Sequence, residues 1–213
     1  MVRASKSVVE DILQNGISEN PLMLRGVAVE NIIYMFENGV MPPSTTEDES
    51  KNHLYFWPIR KNFKRFERIY REFERCGVKF AIEESKSYAK LSAADEYMMK
   101  VLIDELHMPP EHARKLYNHF DAGFRYDGPK KYEKQALKLD WNNIYKSAKK
   151  RKGVLLEPKR KILDDFIPKL PDGLDDGIRI YCPKGLDIKY VHGVKPLGKI
   201  EEVILNSYLK SLS

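Results

Sequence analysis

Residues 21–58 read PLMLRGVAVENIIYMFENGVMPPSTTEDESKNHLYFWP, and the punctuation of this stretch decides the fold. Leu22 to Leu24 is a short apolar run that predicts a strand, ending at Arg25 and Gly26. From Glu30 to Glu37 the residues Ile32, Ile33 and Phe36 recur at helical spacing, and Gly39 stands just beyond them, where a glycine ends a helix. A loop rich in Ser, Thr, Asp and Glu fills Pro42 to Asn52, and His53 to Trp57 is a second strand stopped by Pro58. The chain thus leaves a strand, makes one short helix and returns, bringing an arginine and an aromatic side chain to one cleft. A strand, helix and strand at this scale point to an α+β or mixed-sheet fold rather than an all-helical bundle.

The reading extends outward in both directions. Upstream, Val8, Val9, Ile12 and Leu13 form a helical stripe that stops at Asn15-Gly16. Downstream, Ile59, Phe63, Phe66, Tyr70 and Phe73 recur at three and four residues, so an amphipathic helix is expected, closed by Gly77 before a strand from Val78 to Ile82. Ser92 with Asp95 has capping-box spacing and opens a helix carried by Tyr97, Met98, Val101, Leu102 and Leu106 until Met108-Pro109-Pro110. Glu111 to Phe120 is a further helix, and Lys131 to Lys152 is helical with imperfect periodicity. Beyond Gly173 the runs Ile178 to Tyr181, Ile188 to Val191 and Val203 to Tyr208 are strand candidates that rejoin the first ones. The expected organisation is a single domain over residues 1–213 whose sheet uses both chain ends, with a helical, partly basic insertion at about 90–170.

At 213 residues and 42% hydrophobic content the chain can bury a core without metal or disulfide support. Cys76 and Cys182 have neither a disulfide-framework count nor ligand spacing, so both read as ordinary thiols of a reducing compartment. The first residues lack the apolar core of a signal peptide and no window is long and apolar enough for a membrane span, so a soluble, cytoplasmic protein without membrane contact is expected. His107, His112 and His119 are spaced too irregularly to define a metal site, and none is assigned.

The net charge of +6 is concentrated. Lys130 to Lys161 holds twelve Lys/Arg against three Asp/Glu, which leaves the rest of the chain net negative. A polyanion would meet the chain there, and Lys149, Lys150, Arg151 and Lys152 are the residues to follow a phosphate backbone, with Tyr132, Trp141 and Tyr145 as stacking surfaces. A solvated, lysine-rich helix end explains the same letters.

Arg25 can hold a phosphate or carboxylate through two parallel hydrogen bonds, and Gly26 beside it lets a ligand approach the backbone. A surface arginine before a turn is the other reading. In HLYFWP, Leu54 and Phe56 face opposite to His53, Tyr55 and Trp57. The pairs Glu83-Glu84 and Glu201-Glu202 read as solvated strand ends, since adjacent strand carboxylates diverge.

The run MLRGVAVENIIYMFENGVMPP followed by HLYFWP resembles the opening of the ADP-ribosyltransferase fold, shared by mono-ADP-ribosyltransferase toxins, poly-ADP-ribose polymerases and RNA 2′-phosphotransferases. In that superfamily the first core strand ends in an Arg-Gly or His-Gly unit gripping NAD, a helix and a glycine follow, and the next strand brings a Ser or Tyr to the nicotinamide pocket. Leu24-Arg25-Gly26, Asn38-Gly39 and Tyr55 look like these elements. The run DIKYVHGVKPLGKIEEVIL resembles the last core strands, with a Gly-x-x-Pro turn and an Ile-x-x-Val strand. The resemblance covers about 37 residues at the front and 20 at the back. It implies a mixed or antiparallel split sheet, NAD as cofactor, and transfer of ADP-ribose to nucleic acid or protein. It further implies Arg25, Gly26 and His53 at the cofactor and Tyr55 at the nicotinamide ribose. Where active members carry a glutamate, this chain has Asp187, Ile188 and Lys189, so Asp187 is the candidate catalytic carboxylate. Its absence as glutamate also admits an inactive binding or regulatory module, or a nucleic-acid-associated α+β protein without NAD.

Overall fold

The computed structural model describes residues 3–42, 52–58, 67–166, 168–169 and 178–212. Its strands are β1 (Met23–Val27), β2 (Val40–Met41), β3 (His53–Pro58) and β4 (Val154–Pro158), followed by β5 (Pro168–Lys169), β6 (Ile178–Tyr181), β7 (Leu186–Asp187) and β8 (Val191–Pro196). Six of them form an antiparallel sheet in the order β5-β6-β3-β1-β4-β8, while β2 and β7 make a separate two-stranded ribbon. The helices are α1 (Lys6–Asn15), α2 (Val29–Asn38), α3 (Glu67–Leu106), α4 (Pro110–Ala122), α5 (Lys130–Ala136), α6 (Trp141–Ala148), α7 (Ile162–Asp165) and α8 (Lys199–Ser211). The fold is α+β, with a helical insertion between β3 and β4.

Strand alternation sorts β1 between two cores. Met23 and Val27 join Leu54, Phe56, Leu156, Ile180 and Val194 on one face, which α1, α2 and α8 cover with Val9, Ile12, Ile32, Met35, Phe36 and Leu205. Each such side chain contributes about 1.5–3 kcal/mol when fully buried. Leu24 turns to the other face with Trp57 and Leu155, where Ile82 of α3 packs. The segment 21–58 is thus read correctly in outline: α2 ends at Gly39 in the left-handed conformation (φ 73°), and β3 closes at Pro58.

The 40-residue helix α3 replaces several expected elements. Gly77 does not stop a helix, residues 78–82 are not a strand, and Ser92 does not open a new helix; all lie inside α3. The reason is packing that local sequence hides. Ser85, Ala89 and Ala93, four apart and fully buried, form a stripe small enough for α3 to sit directly on β1. That burial outweighs the roughly 1 kcal/mol cost of a mid-helix glycine. Ser92 instead accepts the Ala28 N–H ahead of α2 at 3.1 Å, and Asp95 accepts the Tyr117 hydroxyl at 2.7 Å. The front of the expected helix, residues 59–66, lies outside the described residues, as does most of the loop from Pro42 to Asn52.

The second half of α3 builds a helical core with α4, α5 and α6, in which Met98, Leu102, Met108, Ala113, Leu116, Tyr117, Ala136 and Ala148 are buried. Its helices run to Ala148, and β4, placed within the expected insertion, is instead a strand of the main sheet beside β1. The expected late strand from Val203 to Tyr208 is part of α8, and the Gly193 to Pro196 turn lies within β8. Ile204, Tyr208 and Leu212 recur every four residues and pack with Leu205 and Leu209 on the main core, so a helical period prevails over β-branched composition. Residues 188–190 form a 3-10 turn. Among the described residues no helix is long and apolar enough to cross a membrane.

Candidate functional site

Arg25 lies within β1 rather than at its end, opposite Leu156 of β4. Its face of the sheet is the main core, and its Nη1 donates to the Tyr55 carbonyl at 3.0 Å. The Arg25 Nε is buried without a hydrogen-bond partner, and no carboxylate pairs with this guanidinium among the described residues. Arg25 keeps some solvent exposure, yet burial dominates its surroundings and lowers its pKa to about 10, against the smaller opposing effects of Cys182 and Tyr55. Cys182 follows β6 on the same face; burial pushes its thiol up to about 11, against the Arg25 charge and a backbone hydrogen bond from Leu54. A cation enclosed without an anion is costly, because desolvation is not repaid by a partner.

Tyr55 occupies the opposite face. It sits directly across from Arg179 of β6, whose guanidinium carbon lies 5.3 Å from the Tyr55 ring centre. His53, two pairs further along and on the same face, is 7% exposed and tilts against Tyr181 at 5.2 Å, while Tyr181 is half exposed. The sheet therefore brings the Tyr55 carbonyl, not its ring, to Arg25. Gly26 also departs from expectation. A Cβ there would collide with the Ser85 carbonyl and the Ala89 nitrogen, so the bare Cα seats α3 and is not open to a ligand.

Asp187 ends β7 on the small ribbon, paired with Val40. Its carboxylate accepts the Lys189 N–H at 2.9 Å, capping the 3-10 turn, and lies 3.6 Å from the Lys189 ammonium. Both side chains are exposed. Sequence reading missed Arg179 and Cys182. The period-2 pattern of IRIYC would have separated them onto two faces, but their neighbours depend on the β3–β6 register.

In the basic segment Lys149, Lys150 and Lys152 are exposed, whereas Arg151 is not available to a polyanion. Its Nη2 meets Glu30 at 2.5 Å and its Nε lies 3.3 Å from Glu201, with the Arg151 side chain 9% and that of Glu201 0% exposed. Glu201 also accepts the Lys152 N–H at 3.1 Å. The pair Glu201-Glu202 is thus divided at the start of α8, one carboxylate buried and the other salt-bridged to Lys199, rather than forming a solvated strand end. Glu83 and Glu84 lie on α3, where Glu83 pairs with Lys86 at 2.8 Å.

Among the described residues no group of three or more His, Cys, Asp or Glu is placed to hold a metal ion. His119 shares a hydrogen bond with the Phe124 carbonyl at 2.6 Å, and the His112 ring lies against Tyr132. Compared with known proteins, the chain matches no family model, no curated protein and no solved structure.

Proposed function

We propose that this chain is an ADP-ribosyltransferase-like protein that binds NAD, with Arg25 as the anchor for the dinucleotide's anionic centre. The observation that supports it is the Arg25 guanidinium, enclosed on a central strand with its Nε unsatisfied and no described carboxylate beside it. A pyrophosphate supplies the missing charge and acceptors, and a charge-assisted pair in a desolvated place is strong. The order of β1, α2, the left-handed Gly39 and β3 beside β1 agrees with the resemblance that suggests NAD. In transfer, the nicotinamide leaves and the acceptor attacks the anomeric carbon of the ribose; Asp187 is the group assigned to the developing positive charge, and Tyr55, whose ring lies on the sheet face opposite Arg25, contributes its carbonyl to holding the arginine rather than its ring to the ribose.

The prior engagement of the Asp187 carboxylate by its own turn and by Lys189 favours a second reading, in which NAD is held without transfer. Titration calorimetry with NAD and ADP-ribose tests the binding, with Arg25→Met expected to weaken affinity at least tenfold. No heat with either ligand at millimolar concentration rejects the NAD assignment. Nicotinamide release above the uncatalysed rate, abolished in Asp187→Asn, supports transfer; binding without release supports the silent module.

A further inference from the structure

We propose that the exposed face of α6 and the turn after it bind single-stranded nucleic acid by combining ring stacking with phosphate contacts. This surface is separate from Arg25, so the proposal stands whether or not NAD binds.

Trp141, Tyr145 and Lys149 follow one another at four-residue spacing, and α6 continues into helical backbone at Lys149, so the three share one helix face. The Trp141 and Tyr145 rings lie 5.9 Å apart. Trp141 is fixed from behind: its Nε1 donates to the Ala136 carbonyl at 2.8 Å and its ring meets Phe120 at 5.6 Å. Tyr145 is 43% exposed, so a large ring is held against a fixed neighbour with a surface left open. Around it Lys146, Lys149 and Lys150 are all exposed, and Lys134 and Lys138 are exposed on and after α5. None of these lysines has a salt bridge among the described residues, in contrast to Arg151, which is taken into the interior by Glu30 and Glu201.

The chemistry selects the partner. Exposed lysines not engaged in a salt bridge suit phosphates, and an exposed ring suits an unpaired base, which is buried within its stack in a duplex. A duplex would use the charge but leave the ring without a counterpart. The sugar is not selected by either contact, so DNA and RNA single strands fit alike.

Fluorescence anisotropy of the full chain with labelled oligo-dT, oligo-rU and a mixed-sequence duplex, across a salt series, tests this. Both single strands are expected to bind more tightly than the duplex. Tyr145→Ala is expected to weaken single-strand binding about tenfold, with Tyr145→Phe close to the parent because the ring remains. Replacing Lys146, Lys149 and Lys150 by alanine is expected to reduce the slope of log affinity against log salt by about 2. Thermal melts of each variant identify any loss of fold, and Tyr145→Phe with its ring retained serves as the folded reference. No binding of oligo-dT or oligo-rU by the parent at low salt overturns the proposal. So does preference for the duplex, or binding that Tyr145→Ala leaves unchanged, since either reduces the face to unspecific charge.

Discussion

A methyl group at residue 26 is the smallest change with a large expected effect. Because a Cβ there would run into the backbone of α3, and backbone cannot rotate away as a side chain can, Gly26→Ala is expected to destabilise the chain by about 3 kcal/mol, read from urea midpoints. Cys182 makes a second residue-level prediction. Its thiol pKa, ordinarily 9.0, is raised to about 11 in the fold. Below pH 9 the thiol is protonated whether the chain is folded or not, and its contribution is complete. Between pH 9 and 11 the unfolded chain loses the proton first, so stability falls as pH rises through this window. Urea unfolding of parent and Cys182→Ala at pH 8 and pH 10.5 should show the larger alkaline loss in the parent; equal losses would mean that the thiol is not shielded.

Between elements, the Glu30, Arg151 and Glu201 cluster joins α2, the loop before β4 and α8. Removing the central cation leaves the fully buried Glu201 carboxylate without its countercharge, with the partly exposed Glu30 released, so Arg151→Ala is expected to cost about 3 kcal/mol. Lys149→Ala and Lys150→Ala, on the exposed side of the same segment, should each stay within about 0.5 kcal/mol. Four adjacent basic letters thus have two unlike surroundings, one buried and three exposed, and nothing in KKRK distinguishes them. The same limit applies to the elements themselves. Gly39 and Pro58 end their elements by local backbone chemistry and are legible. Gly77 is not, because the helix through it is supported by Ser85, Ala89 and Ala93 against a strand some sixty residues earlier in the chain. Val203-Ile204 suggests a strand until the four-residue recurrence through Tyr208 and Leu212 is weighed. At the site, Arg25 and Tyr55 are legible as residues, but their opposite faces follow from the β1–β3 register, in which Leu24 pairs with Trp57, and alternation within each strand does not fix that register.

For the molecule as a whole, NAD should act as a stabiliser if Arg25 holds it. At a concentration one hundred times the dissociation constant the native state gains about 2.7 kcal/mol, and the melting temperature of the parent, but not of Arg25→Met, should rise accordingly. The position of β4 has another consequence. Gly26 pairs with Leu155, so β1 acquires its second neighbour only from a distant part of the chain. At ribosomal speeds of about 5–20 residues per second, that neighbour emerges on the order of ten seconds after β1. Throughout this interval one edge of β1 is an unprotected template for any other nascent strand. The helical module is made during the same wait, and its folding shortens the span that β4 must close. Synthesis slowed between β1 and β4 should therefore lower soluble yield more than the same delay placed after β8.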